Sequence, residues 1–244
     1  MTDVRGSLGP PVVQLTGLSR TFGTHAPVHA LRGVDLTIWP GEWVAVVGPS
    51  GSGKSTLLNV LGLLDRQTAG TYCFDGVDVA ELDDLDRAGL RGREIGFVFQ
   101  AFHLLPHRSV LENVMLAEIY VGSPRRGRRE RALAALARVG LTDRAEFLPP
   151  QLSGGQQQRA AIARAIMGEP ALLLCDEPTG NLDTENAESV LDLFSLLSDD
   201  SMTLAVITHD EDVAKRAHRR VRIVDGVLTE VSPPVGTFLV SGQP

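Results

Sequence analysis

The sequence predicts an α/β fold: a phosphate-loop core with a mainly parallel sheet, an N-terminal antiparallel β subdomain and an inserted α-helical subdomain. Three observations predict it. A glycine-rich loop running from Gly48 to Thr56 (GPSGSGKST) follows the apolar run 43–47 and leads into the helix-like LLNVLGLL of 57–64. Two more short apolar runs, 171–175 and 204–208, follow helical stretches, as strands buried on both faces of a parallel sheet do. Alternating apolar positions over 12–18 and 34–39 predict two strands that pair antiparallel ahead of the loop.

The loop has the spacing GxxxxGK[ST] between a strand and a helix, which is the arrangement that cradles a nucleoside triphosphate. Gly48 and Gly53 let the backbone curl so that several N–H groups and the helix's positive end converge on one anion. Lys54 adds a mobile positive charge for the β- and γ-phosphates, and the Ser55 hydroxyl is suited to Mg²⁺. Ser50, Gly51, Ser52 and Thr56 complete the expected nucleotide-binding stretch.

Along the rest of the chain, residues 1–11 are rich in Gly and Pro and expected to be flexible, and GTHAPVH (23–29) is expected to interrupt regular structure. Phe22, upstream of the loop, is either a core residue or a ring that stacks on a base. Pro40-Gly41 is a turn into the loop-bearing strand, 65–70 a further turn, 71–74 an edge strand, and Asp75-Gly76 a hairpin signal. A short helix over 81–94 precedes a strand over 95–99 that ends at Gln100, which is either an exposed polar residue or one that reaches a site. Residues 101–150 read as helical, with Ser109 capping VLENVMLAEIY and a second helix over 128–139. The apolar residues Phe102, Leu104 and Leu105 either pack under this insert or form a docking groove. The basic run RRGRRER (125–131) is read as a solvated face, with anionic lipid headgroups as the alternative.

LSGGQ, Leu152 to Gln156, opens a helix that continues through QQRAAIARAIM; Ser153 can cap it, and Gly154 and Gly155 leave its first N–H groups unobstructed. This is a second candidate anion site. Spacing alone leaves open whether it shares a ligand with Lys54. The strand over 171–175 delivers two adjacent carboxylates, Asp176 and Glu177, to the sheet edge that the loop occupies, where Asp176 can meet Mg²⁺ and Glu177 an attacking water. The strand over 204–208, expected to be the last parallel one, brings His209 to that edge; VRIVDGVLTE then reads as a hairpin, and 232–244 as a loosely held tail.

A net charge of −7 opposes non-specific nucleic-acid binding. The histidines, among them His25 and His29, form no ligand cluster of the kind zinc requires. Cys73 and Cys175 lie in apolar runs and are expected to be reduced, structural thiols. No apolar run approaches a membrane span and the N-terminus lacks signal-peptide order, so a cytoplasmic protein is expected.

Taken in order, the phosphate loop, Gln100, LSGGQ, LLLCDE, Asn181-Leu182-Asp183 and His209 resemble the ATPase subunit of ABC transporters over about 12–230. The resemblance implies a P-loop NTPase core with its helical insert at about 101–165, and ATP hydrolysis with Mg²⁺ by a head-to-tail homodimer. Each ATP would lie between the phosphate loop of one subunit and the signature Ser153, Gly154, Gly155 and Gln156 of the other. It further implies that Lys54 and Ser55 hold phosphate and Mg²⁺, that Gln100 and Asp176 complete the metal's surroundings, and that Glu177 polarises water. His209 would contact the γ-phosphate and Asp183 would reach across to the opposite site. Phe22 falls where the family usually has a Tyr that stacks on adenine, so the ring is kept and the hydroxyl lost. FVFQAFHLLPHRSVLENV and DEPTGNLD look most like the branch serving macrolide export, lipoprotein release and cell division. That branch works with a separate integral membrane permease bearing a large extracytoplasmic domain, which places the subunit peripherally on the inner face of the membrane. A regulatory ATPase of a wall-remodelling complex is the alternative. DNA-repair and ribosome-acting relatives fit less well, because the chain has one ATPase core and no sustained heptads.

Overall fold

The computed structural model describes residues 9–23, 25–119 and 126–232. Residues 1–8, Arg125 of the basic run and the tail from 233 onward lie outside them. Strand β1 (Val13–Phe22) pairs antiparallel with β2 (Val28–Ile38). The core strand β3 (Trp43–Val47) and helix α1 (Lys54–Leu61) follow, then β4 (Ala69–Phe74) and β5 (Val77–Asp78), joined through Asp75-Gly76. Strands β1, β2, β4 and β5 form a four-stranded sheet in the order β2-β1-β4-β5, so the hairpin does form its edge. Both first strands are longer than expected. Phe22 pairs with Val28 and Thr21 with His29, which draws the end of GTHAPVH into β2. A hydrogen bond between Thr21 Oγ1 and His29 Nδ1 (3.0 Å) holds that extension. Residues 69 and 70 likewise belong to β4 and not to a turn, with Gly70 packed so closely on Gly17 that a Cβ would stand 2.4 Å from the Gly17 carbonyl oxygen.

The chain continues through α2 (Asp84–Glu94), β6 (Ile95–Phe99), α3 (Val110–Met115), α4 (Arg128–Arg138), α5 (Gly154–Ile166), β7 (Leu172–Asp176), α6 (Thr184–Asp199), β8 (Leu204–Thr208), α7 (Glu211–Arg216), β9 (Arg219–Val224) and β10 (Val227–Ser232). The second sheet has six strands in the order β10-β9-β3-β8-β7-β6, all parallel except β10. Here one expectation is corrected. The last parallel strand is β9 and not β8, because Val44–Val47 pair in parallel with Arg219–Arg222. A buried ion pair secures that strand's entry: Arg219 donates from Nε to Glu42 Oε1 (2.6 Å), and Trp39 N donates to Glu42 Oε2 (3.0 Å).

Alternate side chains of the parallel strands feed two cores, as the period of two requires. Trp43, Leu173, Cys175, Leu204 and Val206 pack with the helices α3 to α6, whereas Val44, Val46, Leu172, Leu174, Ala205 and Ile207 pack with α1 and the antiparallel sheet. Burial on both faces explains why these strands read as unbroken apolar runs. Cys73 and Cys175 are free, and burial together with the Asp176 charge pushes the Cys175 thiol up.

In the insert, residues 101–108 form a loop and not a helix; helix begins after Ser109, whose side chain accepts from Glu112 N while Glu112 accepts from Ser109 N. Asn113 holds that loop against α3, donating to the carbonyls of Leu105, Arg108 and Ser109. The basic run is not simply solvated: Arg128 and Arg131 turn onto the buried carboxylate of Glu118, and Arg129 pairs with Glu146. Among the described residues no helix is long and apolar enough to cross a membrane.

Candidate functional site

The phosphate loop leaves the carboxyl end of β3, between β8 and β9. Two of its glycines are there because the backbone passes too close to other backbone for any side chain. A Cβ on Gly48 would lie 2.2 Å from the Ile223 carbonyl oxygen, and one on Gly53, whose φ is +107°, would lie 2.4 Å from that of Ala30. Gly53 caps α1 without any side-chain hydrogen bond, so the helix start keeps its N–H groups for an outside acceptor. Lys54 Nζ rests on the carbonyls of Gly48 and Pro49 (2.7 and 2.8 Å), holding its charge over the loop. Ser52 Oγ is buried with no partner, while Ser52 O accepts from Gly226 N at 2.9 Å. The cradle therefore has the unpaired donors and the cation that a polyphosphate needs.

Asp176 ends β7 and is half-buried; burial first, and then the neighbouring Glu177, raise its carboxyl above the usual carboxylate range, against the pull of Lys54. Glu177 follows in a left-handed conformation, φ +47°, held by Glu177 N to Ile207 O at 2.9 Å. Its carboxylate accepts from His209 N (3.1 Å) and Thr208 Oγ1 (3.2 Å) and lies 2.7 Å from His209 Nδ1, which carries the proton because a carboxylate only accepts. Gln100, at the end of β6, pairs with Asn181 and not with either acid. Among the described residues no cluster of three or more His, Cys, Asp or Glu is placed to hold a metal. Ser55, Gln100 and Asp176 instead offer hydroxyl, amide and carboxylate oxygens, and the desolvated Asp176 favours a cation. This hard donor set fits Mg²⁺ shared with phosphate and water.

The signature segment forms a second, separate cluster. Ser153 caps α5 by accepting from Gln156 N, and Gln156 Oε1 accepts from Ser153 N in return. Gly155 is packed under Asn186, where a Cβ would fall 2.1 Å from Asn186 Oδ1. Asn186 in turn gives both its backbone and side-chain N–H to Asp183, which caps α6 and is held below the usual carboxylate range by those bonds. Among the described residues no hydrogen bond or ion pair joins Ser153–Gln156 to the phosphate loop. Phe22 is 41% exposed and carries the Arg20 guanidinium 4.3 Å from its ring centre, so it is a surface ring and not a core residue.

Two residues that tie these parts together were not anticipated. Gln158 is fully buried and donates to the carbonyls of Phe99 (3.3 Å) and Pro178 (2.6 Å), beside Gln100 and Glu177. Arg164 donates to those of Phe102 and His103 (3.0 and 2.6 Å). A signal existed for Gln158, a polar residue on the same helical stripe as Ala161 and Ile162.

The model of the family described as ABC transporter matches residues 31–180. The chain belongs to the ABC transporter family. As a member it is an ABC ATPase. It is 49% identical over 239 residues to the macrolide export ATP-binding/permease protein MacB of Rhodospirillum rubrum, covering 96% of this chain but 37% of MacB. The ABC transporter ATP-binding protein YvrO of Bacillus subtilis, itself uncharacterized, is 52% identical over 201 residues, covering 82% of this chain and 88% of YvrO. Among solved structures, the dimeric MJ0796, a bacterial ABC transporter cassette, matches with a TM-score of 0.79 at 40% identity, covering 91% of this chain and 99% of that one. A second structure of that ABC cassette, a post-hydrolysis dimer, is bound to ADP and Pi. These matches agree with the fold class expected from sequence.

Proposed function

We propose that two copies of this chain close head to tail on ATP and that closure and hydrolysis drive a separate membrane permease of the export or force-transmitting type. The observation that carries the reading is the division of the site: one edge holds Lys54, Asp176, Glu177 and His209, while among the described residues no hydrogen bond or ion pair links the signature Ser153–Gln156 to the phosphate loop of the same chain. A site built in two halves needs a second copy to complete it. MJ0796 is described as dimeric, and MacB and the pyoverdine export protein PvdT of Pseudomonas entomophila are named as ATP-binding/permease proteins. By that analogy the subunit works on the inner face of the membrane beside a permease with an extracytoplasmic domain.

In this reading the loop residues Gly48, Ser50 to Gly53, Lys54 and Thr56 bind the phosphates, and Phe22 meets the adenine with its exposed face. Mg²⁺, held by Ser55, Asp176 and Gln100, supplies charge compensation when bound. Glu177 orients water for in-line attack on the γ-phosphorus as the bond to the bridging oxygen breaks, and His209 leaves Glu177 to contact the γ-phosphate. Ser153, Gly154, Gly155 and Gln156 of the partner close on that phosphate, with Asp183 reaching across. Leu104 packs on the helical core, which leaves the exposed Leu105 and half-buried Phe102 as the docking residues of the 101–106 loop.

Glu177→Gln tests the proposal. An amide keeps the shape but does not activate water as a carboxylate does, so hydrolysis falls by a factor on the order of 10²–10⁴ while ATP binding persists. Light scattering then detects a stable dimer with ATP and a monomer without it; a monomer in both conditions would remove the two-copy site.

A further inference from the structure

Gln100 has its backbone secured on both sides. The Phe99 carbonyl before it accepts from the fully buried Gln158 at 3.3 Å, and the Phe102 and His103 carbonyls after it accept from Arg164 at 3.0 and 2.6 Å. Both anchors come from α5. The remaining freedom is that of the side chain, and there a second amide meets it. Asn181 donates from Nδ2 to the Gln100 carbonyl oxygen (3.0 Å) and accepts at Oδ1 from Gln100 Nε2 (3.1 Å). The turn carrying Asn181 is itself tied to the catalytic strand end, through Gly180 N to Glu177 O and Leu182 N to Thr179 O, each 3.0 Å. Gly180 closes one side of the pair, since a Cβ there would stand 2.7 Å from Gln100 Nε2.

The two ends of a carboxamide have the same shape and opposite hydrogen-bonding character. A backbone carbonyl only accepts, so the end of Asn181 that faces Gln100 O must be nitrogen. Its other end is then oxygen, which also only accepts, and Gln100 must turn its own nitrogen toward it. The end left over is Gln100 Oε1, which no protein donor engages among the described residues. A hard divalent cation takes oxygen ligands and is repelled by an N–H₂ group.

We infer that Asn181 is a positioning residue that sets the Gln100 amide so that its oxygen, and not its nitrogen, is offered to the metal of a bound nucleotide. The inference rests on the reading of Gln100 as a neighbour of that metal. Reversing the Gln100 amide breaks its bond to Asn181 Oδ1, so the wrong orientation is disfavoured before any ligand arrives; without Asn181 both orientations are open.

The test is a double-mutant cycle on the full chain with Asn181→Ala, Gln100→Ala and the pair. Mn²⁺ replaces Mg²⁺ as the probe, its free concentration is read by electron paramagnetic resonance in the presence of a non-hydrolysable ATP analogue, and analogue affinity is measured separately in EDTA. Asn181→Ala is expected to weaken Mn²⁺ binding about twofold, because an amide open to both orientations offers its oxygen about half the time, with analogue affinity in EDTA and thermal unfolding unchanged. In the Gln100→Ala background it should add nothing, because its effect passes through Gln100. An equal loss in both backgrounds, or no loss from Asn181→Ala where Gln100→Ala shows one, overturns the role of Asn181 alone. Unchanged Mn²⁺ affinity in Gln100→Ala overturns the reading of Gln100 and the inference with it.

Discussion

In the proposed dimer two helix starts face the same phosphate, and they are built in opposite ways. Of the seven α-helices described, only α1 and α5 lack an acidic side chain in the first turn. Neither therefore repels an anion through its own side chains. Helix α1 begins at a left-handed glycine with no cap, so its N–H groups stay open. Helix α5 begins with a reciprocal capping box that already satisfies both Ser153 N and Gln156 N. What Ser153 keeps for an anion is its hydroxyl proton, since the oxygen accepts from Gln156 N but the O–H is still free to donate. The difference lies in how each half holds its shape without the ligand: the loop start has no side-chain cap, whereas the signature is braced by its own capping box and leaves the Gly154 and Gly155 N–H groups for an anion.

The sharpest way to break this comparison is to add one methyl group to each half. Gly48→Ala pushes against the Ile223 carbonyl at 2.2 Å, so overpacking on the order of 1–3 kcal/mol falls on the loop itself. ATP binding by the monomer should be lost and the melting temperature lowered. Gly155→Ala pushes against Asn186 at 2.1 Å and meets no atom of the loop; calorimetry should find monomer ATP binding intact while ATP-dependent dimerisation and hydrolysis disappear. Equal losses of ATP binding in the two variants would mean that the halves are not independent.

A mixing experiment comes next in size. Ser153→Arg and Lys54→Ala should each be nearly inactive alone. Combined in equal amounts they should recover at most about a quarter of the wild-type rate, since half of randomly paired dimers are mixed and each holds one intact site. Mixed dimers demonstrated by mass spectrometry but inactive would break the division.

A smaller effect separates the halves by pH. Burial raises the Asp176 pKa above its value in the unfolded chain, so the folded protein takes up the proton more readily. Its ionised form then counts against folding once pH exceeds the folded pKa, and that penalty vanishes below the unfolded one. A bound cation favours the ionised form, so Mg²⁺–nucleotide affinity should rise with pH through the raised range, with proton release visible as a buffer-dependent binding enthalpy. Asp176→Asn should abolish that dependence. The smallest effect is Ser153→Ala, which removes one cap and should cost about 1 kcal/mol of stability while leaving monomer nucleotide affinity untouched.

What was legible in the sequence is what depends on neighbours in the chain. The phosphate loop, the Ser109 and Ser153 caps, the Asp75-Gly76 hairpin and the carboxylates at the end of β7 each follow from a local rule of turn, cap or strand end. The misreadings come from pairing at long range. VRIVDGVLTE shows its hairpin partner openly, but nothing near Arg219 announces that it lies beside Val44 in a parallel sheet. Val28 and His29 join β2 because Phe22 and Thr21 lie opposite them, which overrides the Pro and Gly nearby. In the site, chemistry-bearing residues were recognisable by type and position. Gln158 and Arg164 were not, and Asn181 was legible only as part of a motif and not in its pairing with Gln100, since these residues act on backbone carbonyls and on another amide, and such contacts leave no spacing to read.

The packing of the phosphate loop under the end of β9 has a consequence for synthesis. Gly48 lies against the Ile223 carbonyl, Ser52 O accepts from Gly226 N, and Gly226 O accepts from Arg32 N. A ribosome makes the loop early and its supports about 174 residues later, counted from Ser52 to Gly226. At about 5–20 residues per second that interval lasts roughly 9–35 seconds. Throughout it the loop lacks its contacts with residues 223–226. The most recognisable motif in the chain therefore takes its finished contacts only once the last hairpin has been made.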